Sequence, residues 1–361
     1  MVDAFPAGDH RRVRRRSAPQ ADEGQVHGQS PDDGLRAEAG LLPEEREAAD
    51  KLIGQFNRGG YLNSPNKYRQ LDAIEIQLGQ GAQGAAPQRT QAKFIDARMR
   101  EVFELEEGRP AVLHSRIPGV NGAADLRDLV HRLKDETPAP VGVKLGASHF
   151  LEEELQIAVD AGVDFVTVDG AEGGTHGSSP TLLDDLGLPT IFATARARRF
   201  LDQHKLRGRV SLLAGGGLFT PGHFLKALAL GADAVYVGTA AILALVAQQV
   251  NRVSPTEPPA QMILESGRLK DRFDVDLGTA GVVNFLSVAV EEMKAVMYAL
   301  GKAAVSQLNA EDLVCLDPWL ARALRVQYAG VSPAEQEAFY RGLPAGEWVS
   351  PARQPEPVSV P

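Results

Sequence analysis

The stretch VSLLAGGGLFTPGHFLKALALGADAVYVGTAAI, Val210–Ile242, decides the fold. A short apolar run ends in Gly215-Gly216-Gly217. A helix-like segment follows, with Pro221 in its first turn. A second apolar run, AVYVG, then ends in Gly238. Working outward, the same alternation recurs upstream. AIEIQLG (73–79), VGVKLGA (141–147) and DFVTVDG (164–170) read as strands. FLEEELQIAVDAG (150–162), ATARARRFLDQHKL (193–206) and PGHFLKALALGA (221–232) read as helices between them. Short apolar runs separated by amphipathic helices predict a parallel sheet covered on both faces, as in a (β/α)8 barrel or a doubly wound sheet. A doubly wound dinucleotide fold carries G-x-G-x-x-G after its first strand, and no such fingerprint stands here. The glycine clusters follow the last two strands instead, where barrels hold phosphate. Bare backbone lets N–H groups close on phosphate oxygens, and a helix N-terminus adds positive potential. The expected fold is therefore α/β, a (β/α)8 TIM barrel.

The chain has 361 residues and a net charge of −9. An acidic balance argues against nucleic acid as a partner. No apolar run is long enough to span a bilayer, and the N-terminal region shows no apolar signal core, so cytoplasmic residence is expected. The one cysteine, Cys315, excludes a disulfide framework or an all-cysteine metal site within the chain, and no metal ligand set is expected. Residues 1–36, with the basic block RRVRRR, are expected to form a disordered lead-in, and 346–361 a disordered tail. Between them, 37–250 is assigned to the barrel and 251–345 to a helical extension packed on it. That extension contains a long helix over Thr279–Ala303 and a shorter one opening at Asn309.

Three segments carry chemistry. Lys144 interrupts an apolar strand, and at the C-terminal end of a barrel strand it points into the site, where it would hold an electron-rich group. VDGAEGGTHGSSP (168–180) is a glycine-rich loop suited to lie along a flat ligand. Asp169 at its start is a hydrogen-bonding candidate, and Glu172 and His176 are acid–base candidates. GQGAQGAAPQ (79–88) is another glycine-rich strand end, with Gln80 and Gln83 as polar candidates.

Four of these segments, in order, resemble the FMN-binding synthase domain of glutamate synthase, specifically the short stand-alone proteins that contain it: IEIQLGQGA, PVGVKLGA, VDGAEGGTHGSSP and LAGGGLFTPGHFLKALALGADAVYVGTAAI. The likeness runs from about Ala37 to Ala303. It implies FMN at the C-terminal mouth of the barrel. Lys144 and Gln80 would contact the flavin ring, with Asp169 as a third catalytic candidate. Gly173, Gly174 and Thr175 would pass beside the ring. Gly215, Gly216, Gly217, Gly238 and Thr239 would hold the phosphate. The implied activity is that of an oxidoreductase acting on CH–NH2 donors, on a small amino or oxo acid, in glutamate biosynthesis. A reductase or an ammonia-supplying protein would be its partner, with no nucleic acid or membrane partner.

The chain departs from the family pattern in four places. Gln83 stands where the family places a substrate-binding lysine, and Gly84-Ala85 replaces the following Pro-Gly. LALVAQQVNRVSPTEPP (243–259) has no cysteine where the family binds an iron–sulfur cluster, so no cluster is expected. No N-terminal cysteine nucleophile is present. The Ser-Met-Ser-like first strand is absent, and AEAGLL (37–42) replaces the next glycine motif, so the barrel is expected to lack its first β/α unit or to use another strand there. Two other readings stay open: a non-catalytic or truncated FMN-binding barrel subunit, and another FMN or phosphate barrel of the isopentenyl-diphosphate isomerase type.

Overall fold

A computed structural model describes residues 43–61, 63–173, 178–250, 260–263 and 269–342. The chain divides into two compact units, one up to Asn309 and one from Ala310.

In the first unit six parallel strands are hydrogen-bonded in the order β1 (Ile53–Phe56), β2 (Ala73–Gln77), β5 (Val141–Gly146), β6 (Phe165–Asp169), β7 (Ser211–Gly215) and β8 (Ala234–Val235). Between β2 and β5 the chain inserts an antiparallel ribbon of β3 (Gln88–Thr90) and β4 (Ala111–Leu113). Its underside is a small core of Tyr61, Ile95, Phe103, Ala111 and Leu113.

Strand alternation sorts the side chains into two faces. Ile74 and Ile76, Val141, Val143 and Leu145, Val166 and Val168, and Leu212 and Ala214 are buried on one face. Amphipathic helices cover it, and that over 123–136 turns Leu126, Leu129, Val130 and Leu133 inward. On the other face a floor of Ala73, Phe165 and Leu213, with Ile53, Ala234 and Tyr236 against it, draws on β1, β2, β6, β7 and the end of β8. Gly142 makes room for this floor, since a Cβ there would lie 2.4 Å from the Phe165 ring.

The sheet is an arc. In a flat sheet β2 and β8, four strand intervals apart, would stand about 19 Å from each other. Yet the Tyr236 hydroxyl donates to Glu75 Oε2 at 3.0 Å, and Thr167 Oγ1 donates to the same oxygen at 2.6 Å. The inward side chains of β2, β6 and the end of β8 therefore converge, and the six strands form a half-barrel. Among the described residues β1 and β8 each have one strand neighbour. The lead-in 1–36, AEAGLL (37–42) and the tail 346–361 lie outside the described residues.

The long helix spans Val275–Ala299, one turn earlier than the sequence reading. Asp274 caps it by accepting from Leu277 N at 3.0 Å. The buried Gln249 clamps that cap, accepting from Asp274 N at 2.7 Å and donating to Asp274 O at 2.9 Å. The helix packs against those over 239–246 and 221–229.

The second unit corrects the helix expected at Asn309. Residues 310–312 make a single 3-10 turn, and β9 (Val314–Cys315) pairs in parallel with β10 (Gln327–Tyr328). Backbone pairing with a segment a dozen residues downstream overrides the local Asn-cap signal. Between the strands lies the helix Pro318–Leu324, and Phe339 stacks on Tyr328. Among the described residues no helix is long and apolar enough to cross a membrane.

Candidate active site at the open rim of the half-barrel

Above the apolar floor the inward face turns polar. Gln55 stands opposite Glu75, Gln77 opposite Lys144, and Lys144 opposite Thr167. One residue pair higher, Gly146 faces Asp169 and Asp169 faces Gly215. The strands thus carry Lys144 and Asp169 to the rim where the glycine loops begin.

Lys144 Nζ lies 3.5 Å from Asp169 Oδ2 and 5.6 Å from the centre of the Tyr236 ring. Burial works against its charge, but the Asp169 and Glu75 carboxylates outweigh that effect and hold the ammonium above the ordinary lysine value. Tyr236 shifts the same way. Burial, then the negative charge and hydrogen bond of Glu75, keep its phenol protonated far above the usual range. Asp169 also accepts from Gly81 N at 3.0 Å, which anchors the loop after β2. A Cβ on Gly81 would fall 1.8 Å from Gly170 O, so the loops after β2 and β6 touch backbone to backbone. Ala82 N closes the contact by donating to Gly173 O at 3.2 Å.

The other sequence candidates are distributed around this rim. Gln80 accepts from Gln77 Nε2 at 3.4 Å. Gln83 is buried at 1% exposure, and neither of its amide atoms has a hydrogen-bond partner among the described residues. Glu172, read as an acid–base candidate, is hydrogen-bonded within the rim. Its Oε2 accepts from Thr190 N at 2.8 Å, at the start of the helix Thr190–Gln203, and lies 2.8 Å from Thr190 Oγ1. Thr190 Oγ1 also lies 2.9 Å from Gly216 O. Glu172, Thr190 and Gly216 are thus linked, which ties the loop after β6 to the loop after β7. Gly216 and Gly217 have φ of 111° and 62°. Ala214 pairs with Val235, and Tyr236 N donates to Ala214 O at 2.8 Å. The chain therefore leaves β7 and β8 for Gly216 and Gly238 at the same rim. Gly238 is exposed, a Cβ there would meet nothing among the described residues within 4 Å, and with Thr239 it opens the helix Thr239–Val246. Gly174, Thr175 and His176 lie outside the described residues.

Glu75, Thr167, Tyr236 and Thr190 were missed by the sequence reading. Glu75 had a signal, because AIEIQ alternates polar residues with isoleucine on a strand read as buried. Tyr236 and Thr190 had none, since their partners lie far away in the chain.

Comparison with known proteins places this geometry in a family. The conserved region in glutamate synthase matches residues 35–303. An archaeal-type glutamate synthase [NADPH] of Thermotoga sp. (strain RQ2) is 29% identical over 299 residues, covering 82% of this chain and 59% of the relative. A glutamate synthase large subunit-like protein of Rhizobium meliloti (strain 1021) is 29% identical over 313 residues, covering 82% and 71%. An archaeal glutamate synthase [NADPH] of Methanocaldococcus jannaschii is 29% identical over 274 residues, covering 75% and 54%. The chain thus spans somewhat over half the length of most of these relatives. Among solved structures, a flavocytochrome b2 with benzoylformate aligns at 18% identity with a TM-score of 0.47, covering 86% of this chain and 64% of that one. A mandelate oxidase aligns at 20% identity with a TM-score of 0.43, covering 74% and 66%. With the match running through every strand of the arc and all the rim loops, the chain belongs to the glutamate synthase family by its conserved region.

Proposed function

We propose that this chain is an FMN-binding oxidoreductase module of the glutamate synthase type, acting on a small amino or oxo acid. The observation that carries the reading is one rim that presents, side by side, a buried ammonium held charged by carboxylates and two strand ends of bare glycine.

The residues present fit FMN at both ends. At the phosphate end, Gly216 and Gly217, with positive φ, and the exposed Gly238 bring bare backbone beside a helix start, where backbone N–H groups would hold the phosphate. Thr239 adds a hydroxyl there. At the ring end, Lys144 offers a cation and Gln80 an amide, and Gly173 brings bare backbone alongside. When bound, FMN would supply hydride transfer to or from the substrate. The chain's own contribution is electrostatic and positional. Lys144 places positive charge where the electron-rich edge of a reduced ring would lie. Asp169 aims Lys144 while fixing Gly81, and Glu75 adds negative charge without leaving its bonds to Thr167 and Tyr236. Gly174 and Thr175 belong to the ring side of this reading by resemblance.

Gln83 favours a second reading, a barrel that keeps flavin but does not turn over the family's dicarboxylate. Its buried carboxamide supplies no cation. In either reading a reductase or ammonia-supplying partner is proposed, with no iron–sulfur cluster held by these residues.

The test is the visible spectrum of the purified protein. Flavin bands near ~370 and ~450 nm, properties of the cofactor itself, are expected. Gly216→Val with Gly238→Val should abolish them. A colourless protein that takes up no added FMN would overturn the proposal. Reoxidation of the reduced flavin by an oxo acid with ammonia separates the catalytic reading from the non-catalytic one.

A further inference from the structure

The antiparallel ribbon inserted between β2 and β5 carries a cavity of its own. Its volume is about 680 Å3, and Arg89, Gln91, Ala92, Lys93, Gly108 and Pro110 line it. That falls within the range of small-molecule sites, roughly 300–1,000 Å3. Strand register brings a cation to it. Ala111 and Leu113 of β4 face the small core under the ribbon, and Thr90 and Gln88 of β3 stand opposite them. Arg89, paired with Val112, therefore projects from the outer face, where it is exposed. Lys93 follows on the 3-10 turn over 92–94. It too is exposed, and its Nζ lies 4.8 Å from the centre of the Phe94 ring. A third cation sits in the seam between the cavity walls. The half-buried Arg100 donates from Nη2 to Ala92 O at 2.7 Å, and from Nη1 to Glu106 O at 3.0 Å and Arg109 O at 3.3 Å. Those wall carbonyls are thus turned to a guanidinium.

We propose that this cavity binds a small organic phosphate, with Arg89 and Lys93 as the phosphate contacts. None of its lining residues belongs to the flavin rim, so the site stands independently of the flavin reading. Charge selects an anion. Among the described residues no acidic side chain pairs with Arg89 or Lys93, whereas Glu106 pairs with Arg109 at 3.3 Å. Glu107 is exposed beside Gly108 and is the acid closest in sequence to the lining. In a chain of net charge −9, an anion is retained only where local cations outweigh the overall field.

Donor geometry selects phosphate among anions. A guanidinium presents parallel N–H groups to two oxygens of a phosphate, and an ammonium adds a point charge for the third. A phosphate dianion can satisfy both cations, while a carboxylate brings one charge to two. Size selects an organic phosphate. The cavity is far roomier than an oxyanion needs, and Ala92 and Pro110 give it an apolar wall against which a carbon body would pack.

Titration calorimetry with phenyl phosphate, inorganic phosphate and benzoate tests the proposal. It is run on the protein saturated with FMN, so that the flavin's own phosphate cleft is filled, and on the protein without FMN. Phenyl phosphate is expected to bind in both, at least about ten-fold more tightly than either other probe. Arg89→Gln and Lys93→Gln should each weaken it about ten-fold or more, the loss of one charge-assisted hydrogen bond, with the melting temperature and FMN uptake unchanged. Arg89→Lys, which keeps the charge and drops the fork, should fall between Arg89→Gln and the unaltered protein. Glu107→Gln should tighten binding, and added salt should weaken it. Absence of phenyl phosphate binding overturns the proposal, as does benzoate or inorganic phosphate binding equally well. Unaltered affinity in both Arg89→Gln and Lys93→Gln, or binding lost once FMN is present, would place the ligand elsewhere and also overturns it. Failure to take up FMN overturns the flavin reading only, since phenyl phosphate binding that depends on Arg89 and Lys93 still upholds the ribbon site.

Discussion

On β5, Lys144 carries its charge into a face where the neighbours that matter are Asp169, Glu75 and Tyr236. Removing the cation leaves two buried carboxylates without it. Lys144→Met is expected to cost about 3–5 kcal/mol, the usual penalty for breaking a buried pair from one side. Urea unfolding of Lys144→Met, Asp169→Asn and the double variant checks this. The double variant should lose less than the sum of the two single losses, and strict additivity would show that the two groups are uncoupled. The pH dependence has a definite sign. A lysine whose folded value is raised stabilises fully below its unfolded value of about 10.4, and that contribution fades as pH rises through the higher folded value. Lys144 and Asp169 were legible in the sequence because each interrupts an apolar strand at its mouth end. Glu172 was legible as a residue but not in its partner. A carboxylate in a glycine-rich loop gives no sign that Thr190, eighteen residues on, will tie it down.

At the scale of elements, the strands β2, β5, β6 and β7 and the helices over 151–160, 190–203 and 221–229 were readable, because apolar runs and amphipathic repeats are local patterns, while the helix over 123–136 was not read. β1 was not. Its four residues, IGQF, hold one polar residue and a glycine, and they become a strand by pairing with β2. β8 shrank to Ala234–Val235 because Tyr236 turns inward to Glu75 and Gly238 begins the next helix. The long helix shows how a start is set by tertiary contact. Asp274 is a good cap by type, but Gln249, twenty-five residues earlier, fixes its backbone. Asp274→Ala should therefore cost about 1 kcal/mol of stability, measured by chemical denaturation with helicity followed by circular dichroism. A loss within error of zero would mean that Gln249 alone sets the helix start.

For the whole molecule, the sequence foretold a barrel from glycine placement, and the residues described form an arc of six strands. What the sequence withheld was the closure across the interior. Glu75 meets Thr167 across 92 positions and Tyr236 across 161, distances at which no local pattern carries information. That crossing bond gives the protein an optical signature. Below about pH 10 the Tyr236 phenol contributes its full stabilisation, and because its folded value lies well above that of a free tyrosine, alkali opens the arc before it can strip the proton. In an alkaline titration, ultraviolet absorbance should show phenolate from Tyr236 arriving in step with loss of tertiary structure rather than ahead of it, and Tyr236→Phe should reduce the increment by one tyrosine. A phenolate from Tyr236 in still-folded protein would contradict this. Base titration and denaturation become a single event seen at one ring, so the colour of that ring dates the moment the two horns of the arc part.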